Sequence, residues 1–197
     1  MGRNGPNLLR LVSLGLLLGA FVLFFFQLIA YSRERARLPE GLTIAGVPVG
    51  GIGKPAAQER LLQTYSTPVE LLYEGQQIVL SPSQVGFQLD TNAMVAAGEL
   101  ARTSTDFWSG FWDYLWDRPG EPQRVPLRAE YSQAQLETAL RDIAARYDEP
   151  AIASQPIPGS PDFQAGRPGR VLDVPRAVEL VGEILTAPSD RSVNLPV

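Results

Sequence analysis

Two aspartates occupy equivalent positions in a repeated pattern. Residues 86–90 and 169–173 both read G-x-x-L-D, and each precedes a stretch with helical apolar spacing. A pair of carboxylates such as Asp90 and Asp173 could cleave a glycosidic bond by acid–base or nucleophilic chemistry. An aspartate directly before a helix more often caps it, because its carboxylate accepts N–H groups of the first turn. We therefore predict helix caps and assign no catalytic residue.

The composition limits which catalytic groups and metal ligands the protein could use. The chain has no histidine, which removes the commonest general base, and no cysteine, which removes thiolate sites and disulfides. An enzyme would need an Asp/Glu, Ser or Lys mechanism, and the one lysine, Lys54, lies at a predicted helix start. We therefore expect a protein that is not an enzyme, with no cofactor and no metal site.

A short basic segment, A-G-R-P-G-R at residues 165–170, offers two candidate ligand-binding arginines. Arg167 and Arg170 could contact carboxylates of a ligand, because guanidinium groups match carboxylate geometry. A solvated turn is the alternative that we favour, since charges on turns are usually exposed. Gly166 and Gly169 lack the spacing and the lysine of a phosphate-binding loop, so we predict a turn there as well.

All three tryptophans lie in one stretch, residues 106–117, which reads DFWSGFWDYLWD. On a helix, Phe107, Phe111 and Leu115 would form one row and Trp108, Trp112 and Trp116 the row beside it. Such an aromatic face could pack as core between two folded units, which we favour. It could also lie on the outer membrane leaflet, although its acidic polar face weakens attraction to anionic lipid. Finally, the indoles could stack on sugar rings as an exposed binding patch.

The longest uncharged stretch runs from Leu11 to Tyr31. As a helix it would be about 31 Å long, close to the ~30 Å hydrocarbon core of a bilayer. A cleaved signal peptide is the main alternative, but its apolar region is shorter and small residues follow it. We predict an uncleaved transmembrane anchor that contacts the lipid bilayer. Basic residues flank both ends almost equally, and the long segment that follows favours an N-terminus in the cytoplasm with the C-terminal part exported.

The net charge and the length of the predicted exported part limit its possible partners and its number of domains. The first 37 residues hold 5 of the 17 Lys plus Arg and 1 of the 21 Asp plus Glu, so the remainder carries a net charge of −8. This acidic balance argues against a nucleic-acid partner, which would need a basic face. About 160 residues suffice for one ordinary domain or two small ones.

Periodicity and turn signals predict an α+β fold, with a single N-terminal transmembrane helix followed by two small related α+β units. We predict a cytoplasmic tail at 1–10, the transmembrane helix at 11–31, a juxtamembrane linker at 32–39, a first unit at 40–104, an aromatic helix and linker at 105–122, and a second unit at 123–197 that looks truncated inside a strand pattern.

Several local elements can be placed within these units. We expect short paired strands around Ala45-Gly46 and a hairpin at 68–80. A helix from Pro55 would bury Ala57, Leu61, Leu62 and Tyr65. Another helix would begin at a Ser132/Gln135 capping box and end near Tyr147. The segment 151–169 is rich in Pro, Gly and Ser, and we expect a loop that could hold one strand near Phe163.

The order of these motifs resembles the peptidoglycan-binding module that precedes VanW-type domains and some L,D-transpeptidase domains in bacterial envelope proteins. The resemblance covers residues 41–197 and rests on GLTIAGVPVGG, PVELLYEGQQIVLSPSQVGFQLD, PDFQAGRPGRVLD and SVNLPV. The domain that usually follows this module has no counterpart in the sequence. The resemblance implies a membrane-tethered α+β module that faces the cell wall, and no ligand residue can be transferred from it.

Two functions follow from the resemblance. The module would bind peptidoglycan or position a partner at the cell wall, with Trp108, Trp112, Trp116, Arg167 and Arg170 as candidate ligand-binding residues. The arginines would then contact carboxylates of a stem peptide or an anionic wall polymer. The alternative is a structural spacer or protein-interaction domain of an envelope protein whose downstream VanW-type or transpeptidase domain is missing.

Overall fold

The computed structural model of the chain describes residues 5–103, 106–118, 120–159 and 162–197. It begins with one long helix, Gly5–Glu34 (α1). Within the described residues, α1 alone is long and apolar enough to cross a membrane, over Arg10–Glu34. Its side chains from Leu11 to Gln27 are all exposed, so the rest of the protein does not bury them. The predicted tail at 1–10 therefore overlaps the start of α1, and residues 1–4 lie outside the described part.

The elements after α1 are short and mixed, which confirms the predicted α+β class. Five further helices have these bounds: Lys54–Ser66 (α2), Thr91–Thr103 (α3), Phe107–Leu115 (α4), Gln133–Tyr147 (α5) and Val174–Thr186 (α6). The strands have these bounds: Thr43–Ile44 (β1), Val47–Pro48 (β2), Val69–Tyr73 (β3), Gln76–Leu80 (β4), Gln88–Leu89 (β5), Arg124–Val125 (β6), Ala129–Glu130 (β7), Gln155–Pro156 (β8), Phe163–Gln164 (β9) and Ser192–Asn194 (β10). One 3-10 turn covers Pro82–Val85.

A first hydrophobic cluster forms around the β1–β2 hairpin. Ala45 and Gly46 close this hairpin with φ angles of 51° and 77°, the left-handed conformation that a tight hairpin turn requires. The strand β6 pairs parallel with β1, and α2 and α3 pack beside this three-stranded sheet. Fully buried members of the cluster are Leu42, Ile44, Val49, Ala57, Leu61, Tyr65 and Met94.

A second cluster forms on the sheet β10-β3-β4. The hairpin partners β3 and β4 pair antiparallel, as predicted, and β10 adds to β3 in parallel. The helices α5 and α6 cover the sheet with their apolar faces. Its most buried side chains include Val69, Leu71, Tyr73, Leu136, Leu140, Val181 and Leu185.

The two clusters do not follow the boundaries predicted for the two units, 40–104 and 123–197. The hairpin β3–β4, from the first predicted unit, belongs to the second cluster. Conversely, β6, from the second predicted unit, pairs with β1 in the first cluster. The folded part is therefore interleaved along the chain, and the proposed relation between two successive units stays a prediction.

Several local expectations are confirmed and others are corrected. Helix α5 begins at its Ser132 cap, whose hydroxyl accepts a hydrogen bond from the Gln135 N–H at 3.3 Å. The reciprocal half of the predicted capping box is not formed, because the Ser132 N–H donates to the Val85 carbonyl at 2.8 Å. Leu62 was expected to be buried, but its side chain is 51% exposed because it lies beside the buried stripe of α2. The strand expected near Phe163 is confirmed as β9, whereas the rest of the segment 151–169, expected to be a loop, belongs to a two-stranded arm that is described below.

Candidate functional site

The aromatic helix α4 packs against the C-terminal end of α1. Phe111, which is fully buried, places its ring 5.6 Å from both Phe24 and Tyr31 of α1. Tyr31 also contacts Phe107 and Tyr114, at 5.3 and 5.4 Å between ring centroids. Since positions 107, 111 and 114 lie on one helix face, α4 uses its phenylalanine row to hold α1. The favoured prediction, that α4 packs between two folded units, is therefore wrong.

The tryptophan row of α4 remains on the surface. Trp108 and Trp112 are 53% and 52% exposed, and Trp116, which follows the last helical residue, is 69% exposed. Trp108 and Trp112 touch Phe111 edge-on or tilted, at 6.2 and 6.0 Å. The predicted separation into two rows is confirmed, and the indoles form an exposed apolar face directly beside α1.

The charges on α4 are largely engaged locally. The Asp106 carboxylate caps the helix by accepting hydrogen bonds from the N–H groups of Trp108 and Ser109. Asp113 lies 3.8 Å from the Arg118 guanidinium. At the other end of the contact, the Arg35 guanidinium lies 5.1 Å above the Phe107 ring, a cation–π distance. Asp117, which follows the helix, is exposed, so the segment 106–118 keeps three carboxylates against one guanidinium.

The two candidate arginines lie on a protruding arm formed by residues 149–170. Its two chain segments run antiparallel, with pairs at Glu149 and Arg170, at Ile152 and Arg167, and at β8 and β9. Every described residue of the arm is exposed, including the apolar side chains of Ile152, Ile157 and Phe163. Sequence reasoning found only the strand near Phe163 and missed its partner segment, because that segment lacks the alternation that usually marks a strand.

Two glycines allow the arm segments to approach each other. A Cβ atom on Gly166 would lie 2.5 Å from the Ile152 carbonyl oxygen, and one on Gly169 would lie 2.5 Å from the Ala151 nitrogen. Such distances exclude a side chain at either position without a backbone shift. The segment A-G-R-P-G-R is therefore an extended segment, joined to residues 149–152 by two isolated bridges, that needs glycine for close approach, and the predicted turn is wrong.

A polar cluster fixes the base of the arm to the second sheet. The Tyr73 hydroxyl donates a 2.6 Å hydrogen bond to the Asp148 carboxylate, which also accepts the Leu172 N–H at 3.1 Å. Burial and the bond to Asp148 raise the pKa of Tyr73 far above its usual value. Arg170 adds an ion pair with Glu74 in the β3–β4 turn. Both ends of the arm are thus held at β3, and Arg170 is engaged in structure.

The remaining candidates for chemistry have structural roles. The Asp90 carboxylate accepts the Ala93 N–H at 2.9 Å, and that of Asp173 accepts the Arg176 N–H at 3.1 Å. The prediction that both aspartates are helix caps is confirmed. Lys54 pairs with Glu99 at 2.6 Å. Over the described ranges, no three Asp or Glu side chains converge as metal ligands would.

One surface groove was not predicted. It has a volume of about 670 Å³, and its lining includes Thr43, Tyr65, Arg124 and Pro188. Beside it, the Arg191 guanidinium lies 5.3 Å above the Tyr65 ring, and burial lowers the pKa of Arg191 while it raises that of Tyr65. Arg191 donates to the Thr67 carbonyl at 3.0 Å. The groove is of ligand size, but its walls carry few converging polar groups, so we assign it no ligand.

No family model matches the chain, and no curated protein or solved structure is significantly similar to it. The resemblance to the peptidoglycan-binding module therefore stays a prediction from sequence motifs. The structure brings Trp108, Trp112 and Trp116 together on one face, while Arg167 and Arg170 lie on a separate element, the arm.

Proposed function

We propose that the protein is a single-pass, bitopic protein of the bacterial cell membrane that acts without catalysis. Its N-terminus lies in the cytoplasm, and its folded part lies outside, where it positions a cell-wall ligand or an envelope partner at the membrane surface. The length and apolarity of α1 and the exposure of its side chains support an anchor, because a soluble protein would bury such a surface.

One observation carries the positioning role: no flexible linker separates α1 from the folded part. The chain turns through residues 35–37 directly after Glu34, and Leu38 is already buried in the first cluster. Leu38 also exchanges backbone hydrogen bonds with Gly51 and Ile52. The ring contacts between α4 and α1 add a second attachment. The predicted juxtamembrane linker at 32–39 is thus structured, which favours a module seated on the membrane over a distant spacer.

The absence of cysteine makes the orientation easy to test by site-directed labelling. One variant carries Ala145→Cys on the exposed face of α5, and the other carries Asn4→Cys in the N-terminal tail. In intact cells, a membrane-impermeant maleimide should label the Ala145→Cys protein and should reach Asn4→Cys only after the membrane is opened. The reverse pattern, or release of the protein by alkaline carbonate, would overturn the proposal.

Peptidoglycan binding is the second candidate function, and the exposed arm favours it. The arm presents Arg167 opposite Ile152, and Phe163 is exposed further along the same arm, a combination that suits the carboxylates and sugar faces of a wall polymer. Full-length protein in detergent should then sediment with purified sacculi. Arg167→Ala should weaken this sedimentation, whereas Arg146→Ala on α5 should not.

The result of this assay separates the two functions. If neither the parent protein nor the Arg146→Ala control sediments, the wall is not the ligand and the search moves to envelope partners by crosslinking. If the Arg167→Ala protein sediments as well as the control, the arm is not the binding surface. Circular dichroism of each variant establishes that the fold is retained.

A further inference from the structure

We infer that α4 is an interfacial helix that lies in the outer leaflet of the membrane, with its tryptophan row in contact with lipid. This inference rests on the proposed insertion of α1 and adds a second lipid contact that neither the composition nor the anchor requires. The occupant of the exposed indole face is the lipid bilayer itself. Three observations support this assignment: the depth of α4 along α1, the ring contacts that join the indoles to α1, and the charges on α4.

The depth of α4 follows from its contacts with α1. Phe111 touches both Phe24 and Tyr31, which are separated by two helical turns, or about 10 Å along the axis of α1. Tyr31 ends the uncharged stretch of α1 and so marks the outer edge of the hydrocarbon region. The α4 contact therefore extends inward from that edge by about 10 Å, the depth at which interfacial amphipathic helices bury their apolar faces.

The exposed indoles are connected to the lipid-facing rings of α1 by a chain of ring contacts through the buried Phe111. Ring contacts run from Trp112 to Phe111, from Phe111 to Phe24, and from Phe24 through Phe25 to Phe21. Phe21 and Phe25 are exposed and line an apolar surface groove on α1. A membrane that covers α1 at this level also meets the indoles of α4.

The charges of α4 agree with a weakly charged, largely zwitterionic lipid surface. Asp106 caps the helix, Asp113 lies 3.8 Å from Arg118, and Asp117 is exposed. Three aspartates against one arginine give the segment 106–118 a small negative charge and no basic cluster that would select anionic lipid. Arg35 covers the Phe107 ring at the headgroup end of the contact. We therefore expect the position of α4 to be insensitive to the fraction of anionic lipid.

The protein contains a built-in probe for this inference, because its three tryptophans all lie at 108–116. Full-length protein is reconstituted in phosphatidylcholine vesicles whose acyl chains carry bromine near the headgroup or near the terminal methyl. We expect shallow bromine to remove most of the tryptophan emission, deep bromine to remove less, and iodide in the aqueous phase to have little effect. Replacing a third of the lipid with phosphatidylglycerol should leave these ratios unchanged.

A relocated tryptophan provides the matched control. Trp108, Trp112 and Trp116 are changed to Phe, and Tyr147→Trp places one indole on the exposed surface of α5. Emission from this variant should be quenched by iodide and not by either brominated lipid. Conservative Trp→Phe changes keep the aromatic face, and the parent protein carries the primary measurement without any substitution.

Flotation of the vesicles in alkaline carbonate separates the failure of this inference from the failure of the anchor. A protein that floats, but whose emission is quenched by iodide alone, overturns the interfacial position while the anchor stands. Quenching by neither agent also overturns it, because the indoles would then be covered by protein, such as a second copy. A protein that does not float overturns the proposed anchor, and this inference with it.

Discussion

The base of the arm can be tested by removing the polar cluster that joins it to β3. Asp148 lies directly before the arm, and its carboxylate accepts hydrogen bonds from the Tyr73 hydroxyl and the Leu172 N–H. Tyr73 is fully buried and Leu172 nearly so. We consider Tyr73→Phe, Asp148→Ala and the double variant, with Tyr147→Phe as the control for the same chemical change at an exposed site.

The size of each effect follows from these contacts. Tyr73→Phe removes one hydrogen bond to a carboxylate, which contributes about 1.5–3 kcal/mol. Asp148→Ala leaves both the hydroxyl and the amide without a partner, at about 1–3 kcal/mol each. Since Asp148 is only half-buried, water can reach part of the site, and we expect a total near the lower half of this range, about 2–4 kcal/mol. Tyr147→Phe should change stability by less than about 0.5 kcal/mol.

Urea unfolding of the full chain in detergent micelles, followed by far-ultraviolet circular dichroism, measures these free energies. Because α1 should stay helical in the micelle, the unfolding signal comes from the folded part. The double-mutant cycle should give an interaction energy of about 1.5–3 kcal/mol between Tyr73 and Asp148. Additive effects, or a loss for Asp148→Ala no larger than that of the control, would refute the assignment of this cluster as the attachment of the arm.

Three further outcomes follow from the contacts described above. Gly169→Ala forces a Cβ atom against the backbone of Ala151 and should lower the unfolding free energy in urea by about 1–3 kcal/mol, whereas Gly120→Ala, which meets no atom, should not. Because the pKa of Tyr73 is raised in the folded protein, only the unfolded chain releases the Tyr73 proton above pH ~10. The free energy of unfolding should therefore keep the full contribution of Tyr73 below pH ~10 and fall as the pH rises above it. Tyr73→Phe should flatten this alkaline decline in thermal unfolding. Phe111→Ala removes the ring that holds α4 on α1, at a cost of up to about 3–5 kcal/mol, and should raise the iodide accessibility of tryptophan in vesicles; an unchanged spectrum would contradict the packing.

Local signals were sufficient for the helix starts and for the hairpins. Asp90, Asp173 and Ser132 act on N–H groups within three residues, so their roles depend only on adjacent sequence. The turns at Ala45-Gly46 and Glu74-Gly75 likewise depend on which residues tolerate a positive φ. The separation of α4 into two aromatic rows also followed from spacing alone.

The partners of these elements could not be predicted, because they are distant in sequence. The phenylalanine row of α4 looked like core between two units, and nothing in its spacing identified α1 as the surface it covers. The pairing of β6 with β1 is equally non-local. Apart from the strand near Phe163, the pairing within the arm was not predicted, because Pro and Gly are depleted in ordinary strands and here two glycines permit the segments to approach each other.

The parallel pairing of β10 with β3 has a consequence for how the chain is made. Arg191, at the start of β10, bonds to Thr67, which lies 124 positions earlier. If the folded part is exported in sequence order behind α1, the β3–β4 hairpin emerges long before the strand that completes its sheet. Until then one edge of β3 has unpaired N–H and C=O groups and can pair with another chain. If the folded part is exported, the nascent protein would therefore depend on the export machinery or an extracytoplasmic chaperone to shield this edge during synthesis.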